Sequence, residues 1–144
     1  MKKFKGACFC QSVQFELDLK NFDLTVCHCS MCRKLNGSTG FASLEAGETV
    51  HFTSTEGLSI LHSSDIGERG FCNKCGTSLF YQFKPSNEYF IPPAIITDLP
   101  EEKVNFVEEI FYDNKPCYYA FSNDTVKKNE VDFNKQKKGL GYKA

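Results

Sequence analysis

Val13, Phe15, Leu17 and Leu19 alternate with Gln14, Glu16 and Asp18, the period of two that marks a strand with one buried face. Shorter strand-like runs follow at residues 40–44, 49–53, 58–62, 78–83, 89–91, 95–97 and 104–112. Gly, Pro, Asn and Asp punctuate them. The pattern predicts a mostly β chain. Helical character is confined to one short turn, with Ser30 placed to cap residues 31–36 and Gly37 placed to end them. The N-terminal end of that turn faces residues 27–32, where aligned amide dipoles favour negative charge.

At 144 residues the chain suits one domain spanning 1–144. A net charge of −1 lacks the basic footprint of a dedicated nucleic-acid binder. Charge is uneven toward the C-terminus: six acidic residues and one Lys lie between Asp98 and Asp113, whereas the stretch from Lys127 onward is Lys-rich. That stretch is expected to be a solvated tail rather than a nucleic-acid contact. Lys2, Lys3 and Lys5 precede no apolar run of secretory length, and no window of about 18 to 20 residues is uninterruptedly apolar. A soluble, cytoplasmic protein without a membrane partner is the expectation.

Eight cysteines then need an explanation, because a reducing compartment disfavours four disulfides and favours metal ligation or redox chemistry. Their spacing is Cys8-x-Cys10, Cys27-x-Cys29-x-x-Cys32 and Cys72-x-x-Cys75, with Cys117 alone. Residues i and i+2 of an extended segment project to one side, so Cys8 with Cys10, and Cys27 with Cys29, can chelate one ion. Cys72-Asn73-Lys74-Cys75-Gly76 has the form of a zinc knuckle, in which Gly follows the second sulfur at a position suited to positive φ. Seven clustered thiols divide into a closed four-sulfur zinc site of Cys8, Cys10, Cys72 and Cys75 and an open three-sulfur site of Cys27, Cys29 and Cys32. Spacing alone also permits the pairs to be exchanged. His28 points away from the sulfurs in an extended Cys27-His28-Cys29, which suits a supporting hydrogen bond better than coordination. His51 and His62 belong to no motif.

Three linked blocks carry a resemblance. Gly6-x-Cys8-x-Cys10, Cys27-His28-Cys29-Ser30-x-Cys32-Arg33-Lys34-x-x-Gly37-Ser38 and Arg69-Gly70-Phe71-Cys72-x-x-Cys75-Gly76-Thr77-x-Leu79 resemble the glutathione-dependent formaldehyde-activating enzyme family, also called the GFA or centromere-protein-V (CENP-V) domain family. The likeness covers a core of about residues 4–122 and leaves a Lys-rich extension, 123–144. It implies an Mss4-like fold of folded-over β-sheets with a short helical turn, stapled by zinc, with two Zn²⁺ per chain. It assigns Cys8, Cys10, Cys72 and Cys75 to structural zinc, and Cys27, Cys29 and Cys32 to the second, catalytic zinc. Gln11 departs from the family, where many members have Gly. Cys117-Tyr118 lies where the family tends to place Trp, so Cys117 is expected to be a buried or half-buried thiol.

Three thiolates leave a net −1 on Zn²⁺, a poor water activator but a suitable site for an incoming thiol. The expected activity is that of a carbon-sulfur lyase: glutathione or a similar thiol binds the open zinc and forms or breaks its adduct with a small aldehyde such as formaldehyde. Arg33, Lys34 and Arg69 are candidate substrate-binding residues for its carboxylates, the alternative being that they only offset thiolate charge. A non-enzymatic zinc module for a protein or nucleic-acid partner is the rival reading. A CxxC redox protein is a third, but it requires a βαβ pattern that is absent.

Overall fold

Strands dominate the described part of the chain, residues 3–137 of a computed structural model. In chain order the elements are β1 (Phe4–Ala7), β2 (Val13–Leu17), β3 (Asp23–Cys27), α1 (Ser30–Asn36), β4 (Phe41–Gly47), β5 (His51–Thr55), β6 (Leu58–His62), β7 (Gly67–Cys72), β8 (Ser78–Phe83), β9 (Glu88–Ile91), β10 (Asn105–Ile110), β11 (Val126–Lys128) and α2 (Glu130–Lys137). They form two compact units. The first holds residues 3–22 and Leu44–Lys103; the second holds Asp23–Ser43 and residues 104–137.

In the first unit the alternation of β2 buries Val13, Phe15 and Leu17, as their period predicts. Antiparallel β1 and β5 flank this strand, placing Gly6 opposite Phe15 and Phe15 opposite Phe52. The Phe15 ring covers Gly6 so closely that a Cβ there would lie 2.2 Å from it. The order β9-β8-β7-β6 forms an antiparallel set, joined at β9 by the second half of β4 through Leu44 and Ile91. Phe52 bridges the two sets, 5.7 Å from Phe15 and 5.8 Å from Phe80 between ring centroids. Leu17, Leu44, Leu79 and Ile91 complete this core without solvent exposure. Each such side chain contributes about 1.5–3 kcal/mol by leaving water.

The second unit has a smaller and more polar core. β3 runs parallel to β10 and antiparallel to the first half of β4, while β11 runs parallel on the other side of β10. Val26 and Phe41 are its buried apolar strand residues, joined by buried His28 and Glu109. α1 starts three residues after β3 ends, so one local segment delivers Cys27, Cys29 and Cys32 together.

Several expectations change. β2 stops at Leu17 because the Asp18 amide donates to Thr49 Oγ1 (3.0 Å) instead of a neighbouring strand. Of residues 95–97, Ile95 ends a 3₁₀ turn opened by Pro93, and the expected strand shrinks to an isolated antiparallel bridge between Ile96 and Gly6, with Thr97 N–H donating to Lys5 O at 2.8 Å. The strand expected over 104–112 is confined to β10, since Phe111 takes a left-handed φ of 51° and a 3₁₀ turn follows. The Lys-rich stretch is not simply a tail, because Lys128 pairs with Glu108 at 2.9 Å and residues 130–137 form α2. Lys138 and Lys143 lie outside the described residues. No helix among the described residues is long and apolar enough to cross a membrane.

Candidate functional site

The turn between β1 and β2 presents Cys8 and Cys10. It is closed by Cys8 N–H to Val13 O and Gln11 N–H to Cys8 O, both 3.0 Å. Gln11 adopts a φ of 65°, the left-handed conformation that a Gly would take without strain. The turn leaving β7 presents Cys72 and Cys75, with Gly76 N–H donating to Cys72 O at 2.8 Å and Gly76 at a φ of 79°. All four sulfurs lie within 4.8 Å of one another. Cys8 to Cys10 is 3.6 Å and Cys10 to Cys72 is 3.8 Å. A tetrahedron with Zn–S bonds of about 2.3 Å has S···S edges of about 3.8 Å, so the donor set fits a closed zinc site.

Two hydroxyls support these sulfurs and escaped the sequence reading. Ser12 Oγ lies 3.0 Å from Cys10 Sγ and 3.4 Å from Cys72 Sγ; Thr77 Oγ1 lies 3.1 Å from Cys75 Sγ. The Phe9 amide donates to Thr77 Oγ1 (3.0 Å), which leaves the hydroxyl proton free to serve the sulfur. Thr77 holds the Cys75 thiol down at about 5, and Ser12 lowers that of Cys72. Their signal was present as Cys10-x-Ser12 and Cys75-x-Thr77, a hydroxyl two residues after a clustered cysteine.

The second cluster is local. Cys27 ends β3, Cys32 lies in the first turn of α1, and Cys29 caps that helix in place of the expected Ser30. With extended backbone (φ −60°, ψ 153°), Cys29 accepts the Cys32 amide on Sγ at 3.3 Å. Gly37 ends the helix at a φ of 63°, as expected. The three sulfurs lie within 4.8 Å of one another, and no fourth His, Cys, Asp or Glu atom joins the cluster among the described residues. Hydrogen bonding to Cys29 and Cys32, together with burial, pushes the Cys27 thiol well above its ordinary range. Such mutually opposed thiols ionise together when a cation neutralises them. Both clusters therefore have the donors to hold a metal ion. Cys117 is in neither cluster and is exposed, contrary to the burial expected for it.

His28 turns away from the sulfurs into a buried polar chain. Its Nε2 is 2.8 Å from Glu109 Oε1 and its Nδ1 is 2.6 Å from the Tyr119 hydroxyl. Thr125 Oγ1 donates to Glu109 Oε2 at 2.5 Å, with Lys127 Nζ 3.7 Å from the same oxygen. Burial opposes ionisation of Glu109, but the bonds from Thr125 and His28 prevail and hold its carboxyl below the usual range.

An open groove of about 480 Å³ runs along α1, with Ser30, Arg33, Lys34, Thr39 and Tyr118 among its walls. Ser30 and Arg33 directly follow Cys29 and Cys32 of the second cluster in sequence. Arg33 is partly committed: Nε donates to His28 O (3.0 Å) and Nη2 to Asn114 O (3.3 Å). Arg69 belongs to the first unit, on β7, where it is 8% exposed with its guanidinium 5.0 Å from the Tyr81 ring centre.

Comparison with known proteins adds independent findings. The family profile described as glutathione-dependent formaldehyde-activating enzyme matches residues 3–114. An uncharacterized lyase of Schizosaccharomyces pombe is 29% identical over 126 residues, covering 87% of this chain and 90% of its own. A Halomonas elongata protein, provisionally named a glutathione-dependent formaldehyde-activating enzyme, is 27% identical over 143 residues, covering 85% of this chain and 90% of its own. The crystal structure of a Rhodobacter sphaeroides protein superposes with a TM-score of 0.59 at 25% identity, covering 71% of this chain and 96% of that one.

Proposed function

From the premise that the chain belongs to the glutathione-dependent formaldehyde-activating enzyme family, we propose that it is a zinc-dependent carbon-sulfur lyase. It forms or breaks the adduct between glutathione, or a similar thiol, and a small aldehyde such as formaldehyde. The observation that carries this reading is the Cys27, Cys29 and Cys32 cluster, three sulfurs without a fourth side-chain donor among the described residues. All-sulfur donor sets of this kind suit zinc. Cys8, Cys10, Cys72 and Cys75 would enclose a structural zinc, giving two ions per chain.

Cys27, Cys29 and Cys32 would hold the zinc ion, which when bound would lower the pKa of a substrate thiol and keep its sulfur nucleophilic. In the overall exchange the thiol sulfur bonds to the aldehyde carbon, and the thiol proton ends on the former carbonyl oxygen as a hydroxyl. The reverse direction returns thiol and aldehyde. Lys34 and the hydroxyls of Ser30 and Thr39 give the groove the donors to hold carboxylates of the thiol carrier. Arg33, fixed by two backbone carbonyls, braces that wall and adds its positive charge to the groove. Arg69 is assigned no substrate contact, because its guanidinium is buried over Tyr81.

The metal-loaded full chain is titrated with glutathione and then assayed with formaldehyde. A faster rate than the uncatalysed reaction is expected, and Lys34→Ala should raise KM for the thiol several-fold while two zinc ions remain bound. A rate equal to background would refute the enzyme reading. A non-enzymatic binding module is then favoured, supported by exposed Phe9 (90%), Ile60, Leu61 and Phe71 in the first unit.

A further inference from the structure

His28 stands between two ligands of the second cluster, and it is fixed at four points. Its amide donates to Ile110 O at 3.0 Å, and its carbonyl accepts Arg33 Nε at 3.0 Å. Its ring nitrogens are engaged by Glu109 and by the Tyr119 hydroxyl. Tyr112, Tyr119 and Phe121 enclose the ring, with centroids 5.9, 5.4 and 6.0 Å away. His28 is 0% and Glu109 1% exposed. Burying a carboxylate beside an imidazole is costly unless each polar atom finds a partner, and Thr125 and Lys127 supply the partners on the far carboxylate oxygen.

None of Glu109, Tyr119 and Thr125 belongs to the three-sulfur cluster, and all three come from sequence about 80 residues or more beyond it. What they fix is the residue whose backbone joins Cys27 to Cys29. Holding His28 at both its peptide groups and both ring nitrogens sets the backbone torsions from which the two sulfurs project. We infer that the chain Tyr119–His28–Glu109–Thr125 is a positioning device that preorganises Cys27, Cys29 and Cys32 for one metal ion, the Glu109 bond to His28 being its principal anchor. The inference rests on the proposal that this cluster holds a metal. Outer groups that orient ligands in this way are worth about 10- to 100-fold in metal affinity. The four-sulfur cluster has its own supports, Ser12 and Thr77, and so acts as an internal control.

Three full-length variants test this: Glu109→Leu removes the anchor, Glu109→Gln retains an acceptor for His28 while its NH₂ meets Thr125, whose hydroxyl then turns to accept, and Tyr119→Phe removes only the hydroxyl. Each is titrated with Zn²⁺ against a competing chelator, with circular dichroism to report folding and Co²⁺ spectra to report thiolate ligation. In Glu109→Leu the second ion should bind about 10- to 100-fold more weakly with the first unchanged. Glu109→Gln should restore affinity to within a few-fold, and Tyr119→Phe should lose several-fold. Second-site affinity in folded Glu109→Leu and in Tyr119→Phe equal to that of the unsubstituted chain would overturn the inference, as would equal loss at both sites or no rescue by Gln. If Glu109→Leu does not fold, Tyr119→Phe decides on the same criterion. An unsubstituted chain that binds only one ion would instead overturn the proposed function, and the inference with it.

Discussion

Replacing Cys72 and replacing Cys29 by serine should have opposite structural consequences, although each removes one sulfur. Cys72 is fully buried and completes a cluster joining the turn at 8–10 to the turn at 72–75. A structural zinc contributes about 10–16 kcal/mol apparent at neutral pH. Losing even half of that, about 5–8 kcal/mol, is comparable with the roughly 5–15 kcal/mol margin of a small domain and exceeds its lower half. Cys72→Ser should therefore be unfolded or molten. Cys29 differs because its Sγ also caps α1 by accepting the Cys32 amide. Serine is among the preferred N-caps, so Cys29→Ser keeps that bond and should change stability by no more than about 1 kcal/mol beyond the loss of its own ion. Metal content per chain, circular dichroism and denaturant unfolding of both variants give the result: one ion and a cooperative transition for Cys29→Ser, neither for Cys72→Ser. Equal damage from both, or a folded two-ion Cys72→Ser protein, would refute the division of labour between the clusters.

Gly6→Ala should destabilise the first unit by about 1–3 kcal/mol in denaturant melts, because buried Phe15 has no room to retreat from the added methyl. Thr77→Val should retain the first ion but release it several-fold faster when a thiol-alkylating reagent is added, since Cys75 loses the hydroxyl that withdraws its charge. Gln11→Gly should raise the unfolding free energy read from denaturant melts by up to about 1 kcal/mol, by relieving the positive φ.

The sulfur clusters were legible in sequence because each ligand set is assembled from pairs or triplets close in the chain, and residue type alone declares their chemistry. β6 and β8 occupy the predicted spans, 58–62 and 78–83, since their apolar runs are uninterrupted by turn residues. β7 was not legible: Gly67-Glu68-Arg69-Gly70 reads as a loop. Its glycines make room for the rings of Tyr81 and Phe80 on β8, a demand visible only once the strands pair. Three-residue β11 is too short to carry a period. The partner of His28 was also hidden, because Glu109 lies 81 residues away and its alternation with neighbours says nothing about which imidazole it meets. Cys117 misled in the opposite sense: it lies exposed in the turn at 117–118 beyond the 3₁₀ turn Tyr112–Asn114, and cysteine's usual preference for burial gives no hint of it.

The double duty of Cys29 has an evolutionary corollary. A single-nucleotide change from a cysteine to a serine codon there would spare the helix while removing one of the three sulfurs of the second cluster, so descent could silence the proposed centre without any selection against misfolding. Related sequences that keep Cys8, Cys10, Cys72 and Cys75 but carry serine at this position would be expected to survive as inert scaffolds, and the identity of that one side chain would sort them from working members.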